Sequence, residues 1–357
     1  MSEKESAAPA AEGILAVKNL RTSFFTNDGE VRAVDDISFE VRKGEALALV
    51  GESGCGKSVT AMSIMRLVAP PGRIVGGEVW LKGRNLPDLR ESEMRKVRGK
   101  DMAMVFQEPM TSLNPVLKIG SQVAEAILIH RKVTKKEAWK MAGEMLELVS
   151  IPDPIKRLDD YPHQLSGGMR QRVMIAMALS CDPELLIADE PTTALDVTIQ
   201  AQIMELLARL QQRLGLAILL ITHDLGIVAE FCERVVVMYT GRIVEEAPVR
   251  ELFAAPAHPY TRGLLASLPS IARSYSGEAA NGDRAHAERL PTIKGMVPPI
   301  DALPAGCKFN PRCPDVMPVC LGDEPSLMTV GDERRARCYL HGDVADAGRR
   351  ESRNVEC

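Results

Sequence analysis

Short, fully apolar runs along this chain alternate with longer segments in which apolar residues recur every three or four positions. The runs at 46–50, 185–188 and 217–222 predict strands that are buried on both faces. The helical spacing of apolar residues at 57–67 and 203–214 predicts helices that pack on these strands. Strands that alternate with helices indicate an α/β fold with a parallel sheet and helical crossovers.

The N-terminal part of the chain has a different pattern, in which apolar and polar residues alternate one by one. Segments 31–34, 37–41 and 76–81 predict short strands, and turn-forming residues at 27–29 and 43–44 bound the first two. We expect these strands to form an antiparallel sheet that packs against the parallel core.

Between about 109 and 182 the pattern becomes helical, with helices predicted at 119–130 and 135–149. This segment is therefore expected to be a helical subdomain inserted into the α/β core. The predicted boundaries are a disordered tail at 1–12, a main domain at 13–271, a linker at 272–289, a Pro- and Cys-containing extension at 290–344 and a polar tail at 345–357.

Composition excludes some classes of function. The 357 residues carry a net charge of −4 and only 4% aromatic residues, whereas proteins that bind nucleic acid usually have basic surfaces or aromatic stacking platforms. The longest apolar runs are far shorter than the ~18 residues that a membrane-spanning helix needs, and residues 1–12 lack the apolar core of a signal peptide. We therefore expect a cytoplasmic protein without a nucleic-acid partner, and any membrane role to be peripheral.

The strongest motif lies at 51–58, which matches the phosphate-binding pattern G-x-x-x-x-G-K-[ST] at every fixed position. It joins a predicted strand to a predicted helix, where backbone N–H groups converge on an anion. Lys57 is expected to contact the β- and γ-phosphates of a nucleoside triphosphate, and Ser58 to bind magnesium. The loop residues expected to contact the nucleotide are Gly51, Ser53, Gly54, Cys55, Gly56, Lys57, Ser58 and Val59.

Four further polar residues follow predicted strands, so we expect them at the same edge of the sheet as this loop. Asp189 suits magnesium coordination, and Glu190 suits positioning of the attacking water. His223 is a candidate donor to the γ-phosphate, and Gln107 a candidate contact to magnesium or the lytic water. Taken singly, an acidic turn or a histidine after a strand is often structural. Their parallel placement predicts a catalytic site.

A second candidate anion site lies at 165–172, beyond the predicted helical insertion. Its sequence, Leu-Ser-Gly-Gly-Met-Arg-Gln-Arg, begins another helix, and Ser166, Gly167 and Gly168 would present backbone N–H groups at the N-terminus of that helix. Because this site is so far along the chain from the first loop, it indicates a composite site made between two subunits.

The chain resembles the ATPase subunit of an ABC transporter. The motifs that carry the resemblance occur in the family's order, at 51–58, Gln107, 165–169, 185–190, 194–196 and His223. The resemblance implies a P-loop NTPase core of ABC-cassette type for 13–271, with an antiparallel β layer, the inserted helical subdomain and a Cys-containing C-terminal extension.

The resemblance also implies ATP and Mg²⁺ as ligands, enclosed in pairs between two cassettes that meet head to tail. Ser166 and Gly168 of one subunit would then face the γ-phosphate that the other subunit holds. Phe24 would stack on adenine, although its neighbour Phe25 could take the same role. Either phenylalanine could instead belong to the core of the sheet.

Residues 106–115 and 258–265 are similar to the peptide and nickel importer branch of this family, and most to the D-type ATPase of dipeptide and oligopeptide permeases. This similarity implies an ATP-hydrolysing motor for peptide uptake, peripheral to the cytoplasmic face of the bacterial inner membrane. The implied partners are a second ATPase, a sister subunit rather than an identical copy, two permease subunits and, indirectly, an extracytoplasmic substrate-binding protein.

The sequence also allows other functions. The same motor could import nickel or another small solute. A soluble ABC-type ATPase acting on nucleic acid or ribosomes is a weaker alternative, because such proteins usually carry two cassettes or long coiled-coil arms. A nucleotide-binding regulator without turnover conflicts with the presence of both Glu190 and His223.

Cys307, Cys313, Cys320 and Cys338 have the spacing C-x5-C-x6-C-x17-C in the extension. Disulfides are disfavoured in the expected compartment, and structural zinc sites usually contain a close C-x2–4-C pair. A [4Fe–4S] cluster also uses four Cys thiolates. Members of the importer branch with this cysteine set hold such a cluster, so the resemblance implies one here. Zinc and unliganded thiols stay as alternatives.

Overall fold

The computed structural model describes residues 13–107, 112–193, 195–268 and 292–342. The predicted linker, both predicted tails and Ala194 lie outside the described residues. The division of the chain into domains stays a prediction.

Two sheets form the body of the molecule. Their strands are β1 (Gly13–Thr26), β2 (Gly29–Arg42), β3 (Ala46–Val50), β4 (Gly72–Leu81), β5 (Arg84–Asn85), β6 (Met102–Val105), β7 (Leu185–Asp189), β8 (Ala217–Thr222), β9 (Arg234–Tyr239), β10 (Arg242–Pro248), β11 (Met328–Gly331) and β12 (Arg334–Ala336). The antiparallel sheet has the order β2-β1-β4-β5, and the larger sheet has the order β11-β12-β10-β9-β3-β8-β7-β6. From β9 to β6 the strands of the larger sheet run parallel, as the apolar runs predict.

Helices connect the parallel strands and form the inserted subdomain. They are α1 (Lys57–Ile64), α2 (Glu91–Val97), α3 (Ile119–His130), α4 (Lys135–Leu148), α5 (Pro154–Arg157), α6 (Gly167–Leu179), α7 (Val197–Leu214), α8 (Leu225–Phe231), α9 (Val249–Ala254), α10 (Pro259–Ala266) and α11 (Val319–Gly322). The predicted helices at 119–130 and 135–149 are confirmed, and a capping box between Thr134 and Glu137 begins the second. Across the described stretches, no helix has both the length and the apolar character that a membrane crossing demands.

Alternate residues of the parallel strands contribute to two separate hydrophobic cores. In β3, Ala46, Ala48 and Val50 face the core shared with the helical subdomain, whereas Leu47 and Leu49 face the core shared with the antiparallel sheet. Burial on both faces explains why these strands are continuous apolar runs in the sequence. The strands therefore form a rigid layer whose carboxyl-terminal edge can hold polar groups in fixed positions.

Two features differ from the sequence-based expectation. A single strand, β2, replaces the two short strands predicted at 31–34 and 37–41, because register shifts against β1 and a left-handed Asp36 (φ 59°) break the alternation without ending the strand. The C-terminal extension also continues the central sheet, since β12 pairs with β10 and β11 pairs with β12. Of these two short strands, β12 carries Arg334 and Arg335 rather than a continuous apolar run.

Candidate active site

The loop 51–58 lies between β3 and α1, where the motif predicts it. Gly51 (φ 154°) and Gly56 (φ 103°) allow it to pass close to neighbouring backbone. A Cβ at these positions would lie 2.3 Å from the carbonyl oxygen of Met238 and 2.4 Å from that of Ala33. The loop is therefore a narrow cradle that fits phosphate groups. Of the other predicted loop contacts, Ser53 and Gly54 are exposed, Cys55 is buried, and Val59 is half-buried against the antiparallel sheet.

Lys57 points into this cradle. Its side chain is buried, and Nζ donates to the carbonyl oxygens of Gly51 at 2.8 Å and Glu52 at 3.1 Å. The ammonium group is thus held at the centre of the loop, where a point charge can contact phosphate oxygens.

Ser58 and Asp189 form a second element of the site. The Ser58 hydroxyl donates to Asp189 Oδ1 at 3.1 Å, although the two residues belong to α1 and β7. Burial raises the pKa of Asp189, and the hydrogen bond from Ser58 opposes that effect. Hydroxyl and carboxylate oxygens are the ligands that Mg²⁺ prefers, so the pair fits a magnesium ion.

Three side chains contact the Glu190 carboxylate at this edge. Glu190 leaves β7 with a left-handed backbone (φ 45°), which turns its carboxylate towards the ends of the flanking strands. Gln107 Nε2 donates to Oε2 at 3.0 Å, Thr193 Oγ1 donates to Oε2 at 2.8 Å, and His223 Nδ1 lies 3.3 Å from Oε1. The structure therefore brings Gln107, Glu190 and His223 together. Gln107, predicted to contact magnesium or the lytic water, contacts the Glu190 carboxylate here.

The environment of Glu190 favours its ionised form. Burial alone would raise the pKa of Glu190, but hydrogen bonds from Thr193 and His223 outweigh it and hold the pKa below its usual range. Thr193 lies in a turn and belongs to no sequence motif, so it was not among the predicted site residues. The available signal was its position three residues after Glu190, where a hydroxyl can bond back to the carboxylate.

The second candidate anion site begins α6. Ser166 is the N-cap of this helix, and its Oγ accepts a hydrogen bond from Met169 N at 3.3 Å. Ser166 and Gly167 are exposed, whereas Gly168 is buried so tightly that a Cβ would lie 2.6 Å from Ile199 Cγ2. The start of α6 is therefore fixed against α7 at Gly168, while Ser166 and Gly167 are exposed.

The two candidate adenine contacts have different surroundings. Phe24 is half-buried, and its ring lies over Gly72, next to Val68. Phe25 is exposed, and the Arg73 guanidinium lies 4.0 Å from the centre of its ring. The adenine contact stays a prediction for both residues.

The four cysteines of the extension come together in space. Cys307, Cys313, Cys320 and Cys338 line one small cavity, and none of them forms a disulfide. Burial raises the pKa of Cys307 to about 11. Within the part of the chain that the structure describes, no group of three or more His, Cys, Asp or Glu side chains has the arrangement of a metal site. The predicted cluster is therefore not supported by the arrangement of these side chains.

Comparison with known proteins agrees with these features. Residues 34–193 match the family model described as ABC transporter, and residues 244–320 match the model described as oligopeptide/dipeptide transporter, C-terminal region. The chain is 52% identical to a probable peptide ABC transporter ATP-binding protein of Sinorhizobium fredii, over 95% of this chain and 98% of that protein. It is 51% identical to the oligopeptide transport ATP-binding protein AppD of Bacillus subtilis, over 92% of this chain and 97% of that protein.

A solved structure with the same architecture is the dimeric, post-hydrolysis state of the ATP-binding cassette MJ0796 bound to ADP and Pi. The TM-score is 0.60 at 29% identity, and the match covers 66% of this chain and 99% of that one. The chain therefore belongs to the ABC transporter family, as an ATPase of the branch that carries the oligopeptide/dipeptide transporter C-terminal region.

Proposed function

We propose that this chain is the motor subunit of an importer for di- or oligopeptides, and that Glu190 carries its ATPase activity. The observation that supports the catalytic part is the Glu190 carboxylate, which is held by Gln107, Thr193 and His223 at the same edge as the Ser58–Asp189 pair. The peptide cargo is supported by the match of 244–320 and by the names of the relatives. Neither the family match nor the names of the relatives supports nickel as the cargo or a role in binding nucleic acid.

Each residue of the site has a role in this proposal. Lys57 and the N–H groups of its loop hold the β- and γ-phosphates. Ser58 and Asp189 would hold Mg²⁺, which neutralises phosphate charge when bound. The ionised Glu190 accepts a hydrogen bond from the attacking water and orients it, while His223 holds the carboxylate in place.

The other half of the ATP site is proposed to come from a second ATPase subunit, a sister chain rather than an identical copy. The N-terminus of α6 is exposed at Ser166 and Gly167, so it is free to meet a triphosphate held by another cassette. Closure of the two cassettes around ATP would favour one arrangement of two permease subunits. We place this assembly at the cytoplasmic face of the inner membrane, with a substrate-binding protein delivering the peptide on the far side.

A charge placed at the start of α6 tests the composite site. Ser166→Glu should abolish ATP hydrolysis by the purified transporter complex, because a carboxylate would repel the γ-phosphate held by the partner cassette. It should leave ATP binding by the isolated chain unchanged, and the exposed Ser92→Glu variant is the matched control. Loss of ATP binding by isolated Ser166→Glu, or full hydrolysis by its complex, would contradict a site shared between subunits.

We also propose that Cys307, Cys313, Cys320 and Cys338 bind a [4Fe–4S] cluster. The support is the ligand chemistry, since all four thiols are free and four Cys thiolates are the usual ligand set of such a cluster. A cluster would stabilise the extension by joining loops that otherwise contain little regular structure.

A further inference from the structure

Glu52, the second residue of the phosphate-binding loop, forms a bidentate ion pair with a residue of the C-terminal extension. Arg312 Nη1 donates to Glu52 Oε2 at 2.7 Å and Arg312 Nη2 donates to Oε1 at 3.0 Å, across 260 positions of sequence. The Arg312 side chain is only 4% exposed. Two parallel N–H···O bonds from a planar guanidinium fix orientation as well as distance.

Glu52 is also bound at its main chain. Its N–H donates to the Tyr260 hydroxyl at 2.8 Å, and its carbonyl oxygen accepts a hydrogen bond from Lys57 Nζ at 3.1 Å. The residue that Arg312 holds is therefore in direct contact with the lysine that binds phosphate.

Arg312 is itself fixed by the fold around it. Its Nε donates to the carbonyl oxygen of Lys294 at 3.2 Å, and its guanidinium lies 5.9 Å from the ring centres of Tyr239 and Phe309. The rings of Tyr239, Tyr260 and Phe309 pack on one another with centres 4.7–5.5 Å apart. These rings cover the Arg312 guanidinium, which strengthens the ion pair from the arginine side, while the Glu52 side chain is 28% exposed.

We propose that Arg312 is a positioning residue for ATP. Through Glu52 it sets the conformation of the loop and the place of the Lys57 ammonium, and it neutralises a carboxylate that would otherwise repel the incoming phosphates. The C-terminal extension then contributes to ATP binding by positioning the phosphate-binding loop. This inference does not depend on the cargo of the transporter or on a metal at the cysteines.

The test is a double-mutant cycle on ATP kinetics in the intact transporter complex. Arg312→Met should raise KM for ATP by about tenfold and change kcat by less than about twofold, because binding of phosphate is weakened rather than the chemical step. Arg312→Lys should raise KM by a smaller factor, since a lysine keeps the charge but cannot form the bidentate pair.

The second arm of the cycle separates positioning from general stability. In Glu52→Gln, adding Arg312→Met should change KM by less than about twofold, because the two residues act as one unit. Arg262→Met, which removes an exposed ion pair with Asp315 in the same region, is the control and should leave KM unchanged.

An unchanged KM for ATP in Arg312→Met would overturn the proposal. The proposal would also be overturned if the rise in KM of the double variant equalled the product of the rises in Arg312→Met and Glu52→Gln, because independent residues give that result. If Arg312→Met does not fold, Arg312→Lys decides, because it keeps the buried charge and most of the packing. A wild-type KM in folded Arg312→Lys would then overturn the proposal, and a raised KM at constant kcat would support it.

Discussion

Gln107 and Glu190 are joined by a 3.0 Å hydrogen bond although 83 positions separate them in the chain. Gln107 follows β6 and Glu190 follows β7, and the parallel pairing of these strands brings their ends together. Gln107 also lies shortly before the described helices of the inserted subdomain. A displacement of that subdomain would therefore move a side chain bound to the Glu190 carboxylate.

Removal of the Thr193 hydroxyl should change the pH dependence of hydrolysis. Thr193 donates to Glu190 and helps to hold its pKa below the usual range. If hydrolysis needs ionised Glu190, activity falls as the pH drops through that pKa. In Thr193→Val the pKa rises, so the acid limb of the kcat profile should move to higher pH, and kcat at neutral pH should fall roughly three- to tenfold.

Thr193→Ser is the control for this prediction, because it keeps the hydroxyl. Its acid limb should follow that of the wild type. Profiles that are the same for the Val and Ser variants would show that Thr193 does not act on Glu190.

A methyl group at Gly56 should disrupt the phosphate cradle. Its Cβ would lie 2.4 Å from the Ala33 carbonyl oxygen, and the φ of 103° is unfavourable for any L side chain. We expect Gly56→Ala to weaken ATP binding by about tenfold or more and to lower the free energy of unfolding by about 1–3 kcal/mol. Gly322→Ala is the matched control, since nothing lies within 4 Å of the added Cβ. Wild-type ATP affinity in folded Gly56→Ala would contradict the close approach seen here.

The cysteine proposal predicts iron and sulfide in the anaerobically purified protein, at about four of each per chain. Cys320→Ser should lose both together with the visible absorbance. Cys232→Ser should keep them, because Cys232 is equally buried but packs in the core shared with the helical subdomain. A wild-type protein that contains zinc, or no metal, after anaerobic purification would contradict the cluster.

The edge of the sheet that holds the proposed catalytic residues could be predicted from sequence, because these residues lie at the ends of apolar strands. Glu190 and His223 each come after a continuous apolar run, and the carboxyl ends of parallel strands share one edge. Fixed motif spacing likewise located Lys57 and the start of α6.

Other parts of the molecule had no local signal. The strand β10 contains Glu245 and Glu246, which are both buried, and acidic residues in a strand usually indicate solvent exposure. They are buried because Glu245 accepts the N–H groups of Ala257 and His258 while Glu246 pairs with Arg234. The Glu52–Arg312 pair could not be predicted either, because its two residues lie far apart in sequence and only the folded chain brings them together.

The most direct test of the account is peptide uptake by the complex of this chain with the proposed sister ATPase and permease subunits, reconstituted in liposomes with a labelled tripeptide. The wild-type complex should import peptide only with ATP. Glu190→Gln should lower uptake and phosphate release together by about a hundredfold or more while still binding ATP, and the exposed Glu205→Gln variant should behave as wild type. Undiminished hydrolysis in Glu190→Gln, or a wild-type complex that hydrolyses ATP and imports no peptide, would contradict it.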